Sequence, residues 1–256
     1  MSFHCIACIK AAALKAPAKG MKKNSDTAQM NPFDRIALAL AVNVARSCGG
    51  MITALSMGPA SCSFVIYEAM AMGADKGILL SDRRFADSDT LATSTALAAA
   101  IKRLAPFDLV VFGARTSDSD TGQVGPQTAV ALDLPLVSGT FDFEWKNSFF
   151  LAHRKMDEFR ETYEVTLPAA FTIHPSSITP PDIALENIET AWTKKIAFWS
   201  LEDLELRADQ VGLEGSPTRV ISQKMAARKR HCEFIEGSVE EQAEKFVRKI
   251  KEKGII

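Results

Sequence analysis

Along the first two thirds of the chain, short apolar runs alternate with longer stretches in which apolar residues return every three or four positions. Cys5–Ile9, Met51–Met57, Lys76–Leu80 and Phe107–Phe112 are the short runs. Continuous apolar runs of this length predict strands covered on both faces. Between them, Ile36, Leu38, Leu40, Val42, Ala45 and Cys48 carry an apolar face onward from Asn31-Pro32 until Gly49-Gly50. Pro32 suits the first helical position and Asn31 the cap. A second helix is predicted from about Ser61 to Met72, and a third from an Asp89-Thr90 cap to Leu104. Ala11–Ala28 is weakly patterned and reads as loop. Strands alternating with helices predict an α/β fold, a parallel sheet flanked by helices on both faces. Ligands in such sheets lie at the carboxyl ends of the strands. Met57-Gly58-Pro59 and Gly113–Pro126 both begin there.

After Leu134-Pro135-Leu136 the pattern changes. Thr140–Trp145, Ser148–His153 and Thr162–Leu167 alternate with charged turns between them, which predicts an antiparallel addition. Pro168–Ile173 returns as a buried strand. Beyond it, His174–Pro181 holds three prolines, Trp192, Phe198 and Trp199 stand among polar residues, and Lys224–His231 is basic. A final helix spans Val239 to Lys251 and ends by Gly254. The expected organisation is an α/β nucleotide-binding domain over 1–174 and an extended arm with a C-terminal helix over 175–256, whose aromatic residues suit an interface.

The connection after Phe112 holds the candidate chemistry. Thr116, Ser117, Ser119 and Thr121 offer hydroxyls, and Gly122 and Gly125 let the backbone approach a ligand. A helix is predicted from about Gln127. A strand, a small polar turn and a helix N-terminus bind phosphate through unpaired N–H groups and the helix dipole. The spacing is neither a Walker loop nor the dinucleotide-binding glycine pattern. An ordinary turn capped by Asp118 or Ser119 is the plain alternative.

Composition narrows the classes. A net charge of -1 gives no basic surface for nucleic acid. No apolar run reaches the roughly 20 residues that span a bilayer, and the N-terminus lacks a signal-peptide plan, so a cytoplasmic protein is expected. Cys5-Ile6-Ala7-Cys8 lies in a predicted strand, whereas a redox pair needs a helix N-terminus and a zinc site needs further ligands. Four scattered histidines provide no ligand spacing. No nucleophile–base constellation appears, so neither catalytic residues nor a metal site are expected.

Several stretches together resemble the beta subunit of electron transfer flavoprotein: Met30-Asn31-Pro32-Phe33-Asp34, Ala54-Leu55-Ser56-Met57-Gly58-Pro59, Glu68–Asp75, Asp118–Pro126 and Gly215-Ser216-Pro217-Thr218. The resemblance implies a fold related to adenine nucleotide hydrolases. It implies a heterodimer with an alpha subunit, one redox-active FAD held mainly by alpha, and a second nucleotide in beta. That nucleotide is AMP in ordinary members and FAD in electron-bifurcating ones, where NADH supplies the hydride. By position its contacts are Cys8, Asn31, Met57, Thr116, Ser119, Asp120, Thr121, Gly122, Gln123, Val124 and Gly125. Asp120–Pro126 resembles the FAD-holding version, while Lys10–Leu14 lacks the Val-Pro-Asp of NADH-oxidising members. The family docks acyl-CoA dehydrogenases through a leucine. Leu185 and Ile188 match that loop, although much around them departs from it. The implied role is electron carriage between such a flavoenzyme and another partner, not independent catalysis. A universal-stress-type nucleotide module shares the fold but ends near 150 residues. An adenylating enzyme would need a Ser-Gly-Gly-type loop that Lys10–Ala13 does not supply.

Overall fold

In the computed structural model the described residues are 3–13, 28–146, 149–222 and 232–255. The first compact unit, which runs to Arg219, is built on a nine-stranded sheet. Its strands are β1 (His4–Cys8), β4 (Met51–Met57), β5 (Lys76–Leu80), β6 (Leu109–Gly113), β7 (Leu136–Trp145), β8 (Phe149–Met156), β9 (Phe159–Thr166), β10 (Ala169–Ile173) and β11 (Ala197–Trp199). Their order is β11-β5-β4-β1-β6-β10-β7-β8-β9. Every pair from β11 to β7 is parallel, and β7-β8-β9 is the expected antiparallel addition. A two-stranded hairpin, β2 (Ala11–Ala13) with β3 (Ala28–Met30), stands beyond β1, where loop was expected.

Alternation along the strands sorts the core into two layers. Cys5, Ala7, Ile52, Ala54, Leu109 and Val111 face helices α1 (Pro32–Ser47), α2 (Phe64–Ala71) and, through Ala191, α5 (Leu185–Thr193). Ile6, Cys8, Leu55, Ile78, Val110 and Phe112 face α3 (Thr90–Arg103) and α4 (Val124–Ala131). This places Cys5 and Cys8 on opposite sides of the sheet, since residues three apart on a strand cannot share a face. Both are free thiols, and burial pushes both far above the ordinary thiol range. Among the described residues no group of His, Cys, Asp and Glu is gathered to hold a metal, and no helix is long and apolar enough to cross a membrane.

The structure divides after Arg219 rather than after residue 174. The reason is local: β11 pairs with β5, Leu201, Leu204 and Val211 enter the second core layer, and the one-turn helix α6 (Gly212–Gly215) lies beside α3. Trp199 carries the Arg103 guanidinium 5.2 Å from its ring centre, and Trp192 stacks on Tyr67 at 4.3 Å. The second unit, Val220–Ile256, contains α7 (Val239–Glu252), capped by Ser238 and Glu241 acting reciprocally. Phe246 and Val247 of α7 are exposed. The basic run Lys224–His231 lies outside the described residues.

Candidate functional site

The sheet order has a switch point at β1. From β1 the chain moves outward to β4 and β5, then crosses to β6 on the other side. The crevice outside the carboxyl ends of β1 and β6 is therefore where this class of sheet takes a ligand. Ile9-Lys10 forms one wall and Gly113–Gln123 the other.

The second wall is a structured loop. The Asp120 N–H donates to the Thr116 carbonyl at 2.9 Å, and the Thr116 and Ser119 hydroxyls are 2.7 Å apart. The Arg115 guanidinium meets the Asp120 carboxylate at 3.3 Å and lies over the Phe33 ring at 5.0 Å. Asp120 and Gly122 are left-handed, with φ of 54° and 62°. A Cβ on Gly122 would come to 3.0 Å from the Ala114 carbonyl oxygen, so the loop turns inward at that point. Helix α4 then starts at Val124 without any side-chain cap. Its first-turn N–H groups are left for an outside acceptor, and the dipole favours an anion there. Asp118 and Ser119 do not cap it, because the left-handed turn at 120–122 separates them from the helix. Asp118 instead pairs with Lys10 across the crevice, Nζ to Oδ1 2.8 Å.

Gly125 has a packing role beside the one its sequence context implies. It lies inside α4, where a Cβ would meet Thr172 Cγ2 at 2.9 Å and the Phe112 ring at 3.2 Å. The glycine lets α4 lie flat on the sheet. Helix α4 begins three residues before the predicted Gln127, because Pro126 in the first turn forfeits only an N–H that has no helical partner.

The remaining expected residues are dispersed around this loop. Thr116, Ser119, Asp120, Thr121, Gly122, Gln123 and Val124 all lie on it or at its helix, and Gln123 accepts a hydrogen bond from the Thr90 hydroxyl at 2.9 Å. Met57 ends β4 half-buried. Cys8 is buried in the α3/α4 layer. Asn31 is 0% exposed, and its side chain is engaged by the loop itself: its amide donates to the Arg115 carbonyl at 2.8 Å, and its oxygen accepts the Ser117 N–H at 3.2 Å. Gly215-Ser216-Pro217-Thr218 docks on the start of α3. The Ser216 hydroxyl accepts the Asp89 N–H at 2.8 Å, and Thr218 donates to the Asp89 carboxylate from its N–H and its hydroxyl. Burial opposes ionisation of Asp89, but hydrogen bonds from Ala92, Thr218 and Leu91 hold its carboxyl below the usual value.

Asp34 was not singled out from the sequence. It is buried and accepts the Lys10 N–H at 2.8 Å. Burial is the largest influence on it and pushes its carboxyl up to about 7. The signal was available: Asp34, Leu38, Ala41 and Ala45 share the buried stripe of α1, and a carboxylate on such a stripe needs partners.

The description "Electron transfer flavoprotein domain" matches residues 20–204. The chain belongs to the electron transfer flavoprotein family. It is 34% identical to "Electron transfer flavoprotein subunit beta" of Thermoanaerobacterium thermosaccharolyticum, over 89% of this chain and 87% of that one. It is 38% identical to "Caffeyl-CoA reductase-Etf complex subunit CarD" of Acetobacterium woodii, again over 89% and 87%. "Acryloyl-CoA reductase electron transfer subunit gamma" of Anaerotignum propionicum is 32% identical over 94% of this chain and 92% of its own length. The electron transfer flavoprotein family sets the role as electron transfer, and the universal-stress and adenylating alternatives fall away.

Proposed function

We propose that this chain is the beta subunit of a cytoplasmic electron transfer flavoprotein that works with an alpha subunit. The pair carries electrons between a flavoenzyme acting on acyl-CoA thioesters and a second redox partner. The names of the caffeyl-CoA and acryloyl-CoA reductase relatives support the thioester side. One FAD is shared with alpha, and the crevice after β1 and β6 takes a second nucleotide, FAD by our reading and AMP as its alternative. The observation that carries the reading is the uncapped start of α4 behind the left-handed Gly122 turn, at the sheet's switch point. The loop fits such a group: backbone N–H groups of Val124 and Gly125 would hold phosphate, and Thr116, Ser119 and Thr121 would add hydroxyls. A flavin held there supplies the redox chemistry, and the chain supplies binding and orientation. NADH oxidation is outside the proposal, since Lys10–Leu14 lacks the family's Val-Pro-Asp.

Residues 175–256 are assigned to contacts with alpha and the flavoenzyme. Leu185, 72% exposed at the start of α5, would be the partner-facing anchor, with half-buried Ile188 behind it. The exposed Phe246 and Val247 of α7 suit a further protein surface. The test is to purify the heterodimer and follow its reduction by an acyl-CoA dehydrogenase with its thioester. Leu185→Ala is expected to slow that reduction about tenfold, with flavin content kept and stability changed by under about 0.5 kcal/mol, as for other exposed positions. Unaltered transfer kinetics would remove Leu185 from the docking site.

A further inference from the structure

We propose that Trp192 is a specificity residue for the redox partner: stacked on Tyr67 of α2, its indole carries the exposed apolar stripe of α5 two helical turns beyond Leu185, so that a flavoenzyme must fit both side chains. This rests on the reading of Leu185 as the partner-facing anchor, and adds a second anchor and the ring that seats it.

The placement follows from helix geometry. Residues seven apart lie on one face of a helix, about 10 Å apart along its axis. Leu185 and Trp192 are such a pair on α5, and both are exposed, Trp192 to 59%. Ala191 and Ile188, on the neighbouring side of the helix, pack on the first core layer. Helix α5 has nine residues and no side-chain cap at its N-terminus. A helix that short does not hold itself together in water, so its bearing is set by what it packs against. Near its C-terminal end that is Tyr67, whose ring lies 4.3 Å from the Trp192 ring and at 15° to it. A stacked pair commits one face of each ring. A partner therefore meets an indole that is already fixed in place.

The surroundings indicate what covers it. Asp182, Glu186 and Glu189 are exposed along the same segment, and no Lys or Arg stands between His174 and Lys194. The occupant is a flavoenzyme surface with an apolar furrow two helical turns long and a rim of Lys or Arg, which the acidic residues steer. Tryptophan suits the anchor role, since it buries a large apolar area with few rotamers to fix. A flavoenzyme whose furrow ended at the leucine pocket would leave the indole in water or collide with it. Trp192 thus discriminates among enzymes that accept Leu185 equally well.

The test follows reduction of the heterodimer with alpha by an acyl-CoA dehydrogenase and its thioester over a range of dehydrogenase concentrations. It compares wild type, Leu185→Ala, Trp192→Ala, Trp192→Phe and Tyr67→Ala, with amide hydrogen exchange measured over 185–193 in each. Trp192→Ala is expected to raise the half-saturating dehydrogenase concentration about tenfold, with the limiting rate and flavin content within about twofold of wild type. Trp192→Phe, whose ring still stacks, should recover most of the loss, and Tyr67→Ala should show an intermediate one. A half-saturating concentration within about twofold of wild type in Trp192→Ala, beside a slowed Leu185→Ala, would overturn the role of Trp192 alone. Unaltered kinetics in both, or a wild type that the dehydrogenase does not reduce, would overturn the docking reading as well. Faster exchange throughout 185–193 in Trp192→Ala, without rescue by Trp192→Phe, would mark a plain loss of the helix and would also overturn the proposal.

Discussion

The connection from β4 to α2 and the connection from β6 to α4 leave the same edge of the sheet on opposite sides of β1, yet they are built differently. After β4 the chain turns at Gly58-Pro59 into a 3-10 turn, Ala60–Cys62, and the Gly58 N–H is already given to the Leu80 carbonyl at 3.0 Å. A Cβ on Gly58 would find Cys62 at an ordinary 3.5 Å. After β6 the chain makes a long polar loop with two left-handed residues and enters α4 uncapped. That loop is held from outside by Asn31 and Lys10. On the proposed function, a place at the carboxyl edge is therefore not enough by itself to make the phosphate end of the site. The donors must also be left unspent, and something rigid must hold them open.

The largest effect that separates the two connections is expected at Gly125. Gly125→Val would force branched carbons against Phe112 and Thr172 and lift α4, costing about 1–3 kcal/mol. Thermal denaturation would show it, with beta-site nucleotide lost as a consequence of the displaced helix. A melting point unchanged from wild type would show that α4 is not packed through this glycine.

Acidity offers a second separation. Asp34 binds its proton more tightly in the folded chain, with its carboxyl up at about 7 against an ordinary 3.8. The folded state then carries the extra proton between those values, so Asp34's contribution is fully present below about pH 4 and is lost as pH rises through about 7. Measured as the difference between wild type and Asp34→Asn, stability should fall across that window and level off above it. A flat difference would mean that Asp34 is ionised throughout and that its N–H donors fully offset burial.

The smallest effect belongs to the β4 turn. Gly58→Ala is expected to change stability by under about 0.5 kcal/mol and to leave nucleotide content as it was. Loss of nucleotide there would show that the turn beside the expected contact Met57 shapes the site as well.

Much of this contrast was legible in the sequence, for definite reasons. Met51–Met57 and Lys76–Leu80 are strands at their predicted bounds, because a strand covered on both faces reads as a mostly apolar run of strand length. Asp89 capping α3 was equally plain. The hairpin of Ala11–Ala13 with Ala28–Met30 was not, since alanine has little strand preference and pairing there is set by the neighbouring structure. Ala197–Trp199 is too short to show an alternation, and only its place beside Lys76–Leu80 makes it a strand. The loop's residue types indicated a phosphate site, but not what holds it. Asn31 read as a helix cap or ligand contact, and Asp34 as one polar residue on a helix, because their partners at Lys10, Arg115 and Ser117 are distant in sequence.

The central claim is that the loop after β6 holds a nucleotide of its own. The most direct measurement is the FAD and AMP content per heterodimer, for wild type and for Gly122→Val. A side chain at Gly122 must adopt a left-handed backbone and press on the Ala114 carbonyl. We expect two FAD per wild-type heterodimer, and one per Gly122→Val heterodimer, the one shared with alpha. One FAD with one AMP in the wild type would correct the identity of the ligand and leave the site in place. Nucleotide content that is the same in both proteins would contradict the claim that this loop is the site.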